Sequence, residues 1–407
     1  MLPSHITMLT YEEALAHVLA ALPPAKPEKV PVAEAAGRFL TEAVSSPLDL
    51  PPFDNSAMDG YAVRAADIAT ASAEKPVVLR RVGQIGAGEV FAGNVGMQTC
   101  VRLFTGTPLP AGADAVVMQE DTRTDEARPD EVQILDRARP WENVRLRGED
   151  VKAGTVVATP GTRLSAGHLN LLAAVGTASV RVAKRPCVAL LATGNELRAP
   201  GKPLAPGQIY ESNRAMLAAL LAECGAEARV FPLVPDSLNR TCNALKRAFA
   251  ECDAVVTTGG ASVGQLDFVK AAFVELGGSQ EFWKVAIKPG KPFVFGTLAG
   301  KFLFGLPGNP VSAYVTFLLL VRPALLRWQG AAETGLPAHP GTLAEPLVNR
   351  GDRRHFVRVR VDAAGNVHSA GTQASHMLHS LAAANGLVDV PPETTLAAGT
   401  NVRVLRP

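Results

Sequence analysis

Cysteine, aromatic residues and any surplus of charge are scarce in this chain of 407 residues. The five cysteines, Cys100, Cys187, Cys224, Cys242 and Cys252, form no CxxC pair. Their odd number and apolar settings fit reduced thiols rather than a disulfide frame or a zinc site. His376 and His379 stand three apart without a third ligand, which makes them surface or packing residues. Lysine and arginine number 40 against 38 acids, a net charge of +2, so the basic surplus of a nucleic-acid binder is missing. No GxGxxG follows a strand and no GxxxxGK[ST] occurs, which disfavours dinucleotide redox and P-loop chemistry. There is no GxSxG either. The first residues lack the basic flank of a signal peptide. The greasiest stretch, 311–326, is too short for a span and contains Arg322 and Pro323, so a buried helix is expected. A cytoplasmic protein with neither a membrane nor a nucleic-acid partner follows.

What is present describes several folded domains, with 47% hydrophobic and 19% charged residues. Thr10 and Glu13 form a capping box ahead of a one-sided apolar stripe from Ala14 to Leu22. Residues 51–149 are short valine-rich runs cut by glycine, which predicts a small β-rich domain. It interrupts a discontinuous linker domain made of 1–50 and 150–182. From 183 to 330 buried strands alternate with helices, with Ser212 and Asn309 as expected caps, and a mostly parallel sheet between two helical layers is predicted. The remainder, 331–407, alternates valine with arginine and reads as a second β domain.

In such a sheet the loops beyond the carboxyl ends of the strands form the ligand crevice. "TGNEL" at 193–197, "VPDS" at 234–237, "TTGGASVGQLD" at 257–267 and "GLPGNP" at 305–310 fall there. Each glycine alone reads as a turn, but several at successive strand ends point to close backbone approach by a ligand. Glu196, Asp236 and Asp267 each follow a strand, and as a set can hold Mg²⁺ through oxygen, although each alone can be a cap or a solvated side chain. Ser262 can cap or donate, without a local base. Lys284, Lys288 and Lys291 frame a Pro-Gly turn, either as a solvated patch or as point charges for an anion. Arg145, Arg147, Arg353 and Arg354 can add positive field. These residues describe an enzyme acting on a polyanionic small molecule, with a divalent cation.

"PPFDNSAMDGYAVR" at 51–64, "FTGTPLPAGADAVVMQED", "NVRLRGEDV", "TGNEL", "TGGASVG", "IKPGKP" and "GLPGNPVSA" resemble, in order, the molybdopterin molybdenumtransferase family, which includes the catalytic E domain of gephyrin. The resemblance implies an elongated, multidomain α+β homodimer with composite active sites. Its centre is a three-layer α/β/α molybdopterin-binding domain, joined to a linker domain and two small β-rich domains. Such enzymes take adenylylated molybdopterin and molybdate, insert molybdenum into the dithiolene and release AMP, with magnesium or zinc assisting. Transient contacts with the adenylyltransferase upstream and with molybdoenzyme maturation proteins are implied too.

Carried over residue by residue, the family's catalytic positions fall on Asp59, Thr105, Glu196, Asp236 and Asp267, the last three as metal ligands. Its substrate-binding positions fall on Arg145, Asp150, Thr193, Gly194, Gly259, Gly260, Ser262, Lys284, Lys288, Pro307, Gly308, Asn309, Arg353 and Thr372. Asp54 is expected to lock its own turn, while Asp59 points into a site shared with the partner subunit. Asn195 and Gln265 stand where the family often has acids, which removes negative charge near the metal. Two alternatives share the fold: an adenylyltransferase that makes the substrate, and a scaffold without turnover.

Overall fold

The computed structural model describes residues 8–259 and 268–407. The chain opens with helix α1 (Tyr11–Ala20), where Thr10 accepts from the Glu13 amide and the Glu13 carboxylate accepts from the Thr10 amide, so the capping box forms as expected. Ala14 and Val18 of α1 are buried against the central α/β sheet. Strand β1 (Pro27–Pro31) then leaves for a smaller module, where it finds a partner only much later in the chain.

An inserted domain comes first. Strands β2 (Gly60–Val63), β3 (Val77–Gln84), β4 (Thr99–Leu103), β5 (Ala115–Met118), β6 (Thr122–Asp125) and β7 (Arg128–Ile134) make one sheet in the order β5-β2-β4-β3-β7-β6. It buries two apolar clusters, one around Leu79 and Cys100 and one around Ile85 and Val101. The linker module closes after the insertion, with helix α2 (Ala166–Ala174) and strand β8 (Ser179–Ala183). Strand β8 pairs antiparallel with β1, from Pro27↔Ala183 to Pro31↔Ser179.

The α/β domain holds strands β9 (Cys187–Ala192), β10 (Glu227–Val230), β11 (Ala254–Thr258), β12 (Ser279–Lys284), β14 (Pro292–Leu298) and β15 (Lys301–Leu306), while the short β13 (Ile287–Lys288) leaves this sheet. The order is β10-β9-β11-β15-β14-β12, with the first four parallel and the last two antiparallel. Both faces are covered. Val188, Val256 and Phe304 face one apolar cluster, while Leu191, Val255 and Leu303 face another. This is why the strand sequences are apolar throughout rather than alternating. On the first face lie α1, α3 (Asn213–Glu223), α6 (Pro310–Thr316) and α7 (Arg322–Trp328); on the second lie α4 (Leu238–Glu251) and α5 (Phe268–Glu275).

The run Pro310–Trp328 is a helix long and apolar enough to cross a membrane, and 78% of its apolar window is buried inside the protein. It is the core helix that the sequence suggests. Pro323 lacks the amide an α-helix would use there, and the backbone immediately before it, Phe317–Val321, winds as a π-helix.

The last domain has strands β16 (Ala338–Leu343), β17 (Arg354–Val361), β18 (Asn366–Ser369), β19 (Gly386–Val390) and β20 (Asn401–Leu405), with helix α8 (Leu378–Ala383). The order β17-β18-β16-β20-β19 closes on itself because β19 also pairs with β17. Strand β13 of the preceding domain adds to the barrel wall in parallel with β17, placing Lys288 beside His355. The two domains are thus joined by backbone hydrogen bonds as well as by side chains.

Three local expectations change. Asp54 does not lock its own turn; its carboxylate accepts from the Arg147 amide at 2.7 Å, across 93 residues of sequence. Ser212 makes no capping bond at α3, because the Glu211 carboxylate takes the Arg214 amide at 2.8 Å instead. The strand ahead of Asp236 is not buried: β10 is an edge strand paired only with β9, and most of it is exposed.

Candidate functional site

The carboxyl ends of β9, β11 and β15 stop at one level, and each runs straight into a turn. A crevice of about 390 Å³ opens there, bounded by Thr193, Glu196, Gly259, Pro307, Gly308 and Asn309, with Tyr210 and Asn213 at the start of α3 opposite. Backbone geometry shows why two positions are glycine. Gly259 has φ +82°, and a Cβ there would come within 2.6 Å of the Thr193 carbonyl oxygen. Gly194, at φ +151°, carries the Glu196 carboxylate folded over it, so that a Cβ would lie 2.5 Å from Oε2. At Gly259 the backbone leaves no room for a side chain, whereas at Gly194 the obstacle is the movable end of Glu196 and the positive φ is what favours glycine.

Asn213 ties the crevice floor together. Its Nδ2 donates to Thr258 Oγ1 at 2.6 Å and to the Gly308 carbonyl at 2.7 Å, linking the end of β11 to the turn beyond β15. Its Oδ1 is buried and has no hydrogen-bond partner among the described residues. A second tie joins the outer turns. The Asn195 amide donates to Asp236 Oδ2 and the Asp236 amide donates to Asn195 Oδ1, both at 3.1 Å. This reciprocal clasp fixes Asp236 beside the turn that carries Glu196. Neither residue's role is visible in a local reading, because the partners are 41 and 45 positions apart.

The last domain meets the same rim. Asn309 Nδ2 donates to Ser375 Oγ at 3.0 Å, and the Val311 amide donates to the Ser375 carbonyl. The segment "GTQASH" is held from behind by Arg358, which is fully buried. Its Nη2 donates to the carbonyls of Thr372 at 2.8 Å and Ala374 at 3.2 Å, and its Nε to Ser380 Oγ. Thr372 therefore contributes a backbone anchor, with its side chain at the exposed surface.

Three models of known families match successive parts of the chain: the MoeA N-terminal region (domain I and II) over residues 9–176, a probable molybdopterin binding domain over 189–327, and the MoeA C-terminal region (domain IV) over 340–406. The chain is 39% identical to a molybdopterin molybdenumtransferase of Haemophilus influenzae, covering 98% of both chains. It is 41% identical to molybdopterin molybdenumtransferase 2 of Mycobacterium tuberculosis, covering 93% of this chain and 95% of that one. The chain belongs to the molybdopterin molybdenumtransferase family. Among solved structures, the MoeA protein of Pyrococcus horikoshii OT3 matches with a TM-score of 0.83 and 31% identity, covering 98% of this chain and all of the other.

The family's expected site residues are spread over several parts of the molecule. Thr193, Gly194, Glu196, Asp236, Gly259, Pro307, Gly308 and Asn309 gather at the crevice or on the turns that build it. Gly260, Ser262 and Asp267 lie outside the described residues. Lys288 and Arg353 sit at the junction with the barrel, where Arg353 Nη1 donates to the Ile287 carbonyl at 3.0 Å. Lys284 lies with its ammonium 4.6 Å from the centre of the Trp283 ring, a cation–π contact. Among the described residues, no three acids, histidines or cysteines converge as a metal cluster.

Asp59, Thr105, Arg145 and Asp150 belong to the inserted domain and its edge, and none of them lines the crevice. They stand on interlocked loops. Asp59 Oδ1 accepts from the Thr105 amide at 2.7 Å and from its hydroxyl at 2.8 Å, and these bonds hold the Asp59 carboxyl below the usual range. Arg145 pairs in register with Asn55, and Asp150 is fastened through its amide to Leu50. Around them Phe53, Met58, Phe104 and Leu146 are all more than a third exposed.

Proposed function

We propose that this protein transfers molybdenum from molybdate to adenylylated molybdopterin, releasing AMP, and that it works as a homodimer in a cytoplasmic setting. The observation that carries the reading is the crevice itself, in which glycine-bearing backbone and the Glu196 carboxylate lie at the ends of parallel strands, with Asp236 clasped to the adjoining turn by Asn195. Gly259 and Gly308 let a flat or phosphorylated ligand lie against the backbone. The unpartnered Oδ1 of Asn213 offers an acceptor to the amino and ring N–H groups of a pterin.

Glu196 and Asp236 are suited to Mg²⁺. Both are hard oxygen donors beside one turn, and Asp236 spends only one oxygen on the Asn195 amide. An oxygen-only pair favours magnesium over zinc, which prefers nitrogen and sulfur. When bound, the cation supplies charge neutralisation at the adenylyl phosphate. The chain's own contribution is to hold the two acids apart from the ligand's phosphate and to orient the pterin through Asn213.

A homodimer is favoured by the inserted domain. Asp59 and Thr105 do not line their own crevice, and they stand beside exposed apolar residues that a second copy would cover. In this arrangement Asp59 of the partner subunit completes the crevice. The test is AMP release from adenylylated molybdopterin by the purified protein with and without molybdate. Release that depends on molybdate is expected. Formation of adenylylated pterin from molybdopterin and ATP would instead identify the adenylyltransferase, and inertness in both assays the scaffold.

A further inference from the structure

At the opposite end of the α/β sheet, far along β9 from the crevice turns, two cysteines touch. Cys187 opens β9 and Cys252 ends α4, and their sulfurs are 3.1 Å apart. Closing them to a disulfide requires about 1 Å of movement. The pair is asymmetric. Cys252 is buried and burial pushes its thiol up to about 12, whereas Cys187 is half-exposed. Arg229, on the neighbouring strand β10, is close enough to feel the charge on Cys187. Burial likewise pushes the thiols of Cys100 and Cys224 up to about 12 and raises that of Cys242. Only Cys187 therefore combines access with a cationic neighbour.

Next to this pair lies a cavity of about 210 Å³. Pro186 and Asp253, the chain neighbours of the two cysteines, form part of its wall, and Lys26, Lys184, Arg185 and Lys301 supply the rest of its charge. Lys301 donates to the Phe249 carbonyl. The other three cations form no ion pair among the described residues. With Asp253 as the single acid, and its Oδ2 already accepting from the Cys187 amide at 2.9 Å, the cavity carries a clear positive excess.

We propose that Cys187 and Cys252 form an oxidisable dithiol whose oxidant is an anionic low-molecular-weight disulfide, drawn in by the cationic cavity. The Cys187 thiolate attacks one sulfur of the small disulfide, whose S–S bond breaks and releases a thiolate. Cys252 then loses its proton and attacks the Cys187 sulfur, expelling the second small thiolate. Two protein thiols are oxidised and one small disulfide is reduced to two thiols, which receive the two protons. The protein disulfide fastens the end of α4 to the start of β9.

The test uses the intact, fully reduced protein with oxidised glutathione, which has more carboxylates than ammonium groups, and with the neutral bis(2-hydroxyethyl) disulfide. Alkylation under denaturing conditions should count three thiols instead of five, with one cross-linked peptide pair containing Cys187 and Cys252 and reversal by dithiothreitol. C252S should stop at a glutathione adduct on Cys187, and C187S should not react. K184A/R185A should slow oxidation by glutathione several-fold and leave the neutral disulfide's rate unchanged. Five thiols surviving both reagents, or a cross-link elsewhere, would overturn the pair. Equal slowing of both reagents, or slowing of neither, would overturn the role of the cavity.

Discussion

Asn195 shows how much a single residue's meaning depends on a distant partner. In sequence it is an amide where the family often has an acid, a loss of charge beside a metal. In the structure its side-chain oxygen accepts from the Asp236 amide, and either an amide or a carboxylate can do that. The substitution therefore retains the clasp and changes only the charge. N195D should keep the fold and lower the Mg²⁺ concentration needed for AMP release, while D236N should raise it by ~10-fold or more. A magnesium titration of both variants checks this; parallel, unshifted curves would remove Asp236 from the cation site. His355 gives a second prediction at this scale. Both its ring nitrogens are buried without partners among the described residues. Burial, with Lys288, Arg358 and Arg353 adding to it, lowers its pKa from 6.5 to about 4. Between those values the unfolded chain binds a proton that the folded chain refuses. Stability should hold above pH 6.5 and fall as the pH drops toward 4, by on the order of 3 kcal/mol. Urea unfolding of the parent and of H355L across that range should show a shallower fall in the variant, and identical slopes would exclude His355 as the cause.

The regular elements around the crevice were legible because their signals are local. Buried parallel strands are apolar along their whole length, and the glycines after β9 and β11 stand where the backbone turns under a close neighbour. The capping box of α1 is likewise contained in four residues. Elements fixed by tertiary contacts were not legible. Nothing local distinguishes Ser212 from Glu211 as the group that meets the Arg214 amide, and nothing marks β10 as an edge. The segment 371–376 is the clearest example. It contains no regular structure and is shaped by Arg358, which comes from the strand β17 and is wholly buried. R358M keeps the apolar stem but removes the guanidinium bonds to the Thr372 and Ala374 carbonyls and to the Ser380 hydroxyl, leaving those carbonyls only the Ser380 hydroxyl and the Met377 amide. A loss of about 2–4 kcal/mol is expected. The Val311 amide, which donates to Ser375 at the far side of that segment, should exchange its hydrogen faster. Unchanged protection at Val311 would mean that Arg358 does not brace the rim.

For the molecule as a whole, the inserted domain poses the main question, since Asp59 and Thr105 form a finished pair that does not line the crevice of the α/β domain. Linear sequence cannot say whether a residue serves its own chain or another copy, so the shared-site reading rested on resemblance and now also on the exposed Phe53, Met58, Phe104 and Leu146. Coexpression of D59A with D236N separates the two arrangements. If crevices are shared, a mixed dimer keeps one crevice with both acids and one with neither, so activity returns. If each chain serves itself, both crevices carry one lesion and none recovers. Isolated mixed dimers without activity would therefore place Asp59 and Asp236 in the same chain's site, or in separate functions.

The pairing of β1 with β8 also imposes an order on synthesis. Pro27 leaves the ribosome long before its partner Ala183 exists, and the whole inserted domain is made in between. At about 5–20 residues per second the wait is roughly 10–30 s. The inserted sheet has all six of its strands available by then, whereas β1 is an unpaired ribbon with its backbone groups open to water or to other chains. The nascent protein must therefore build its middle before its beginning, and a ribosome stalled just after the inserted domain has cleared its exit tunnel would display a finished domain hanging from an unfinished one.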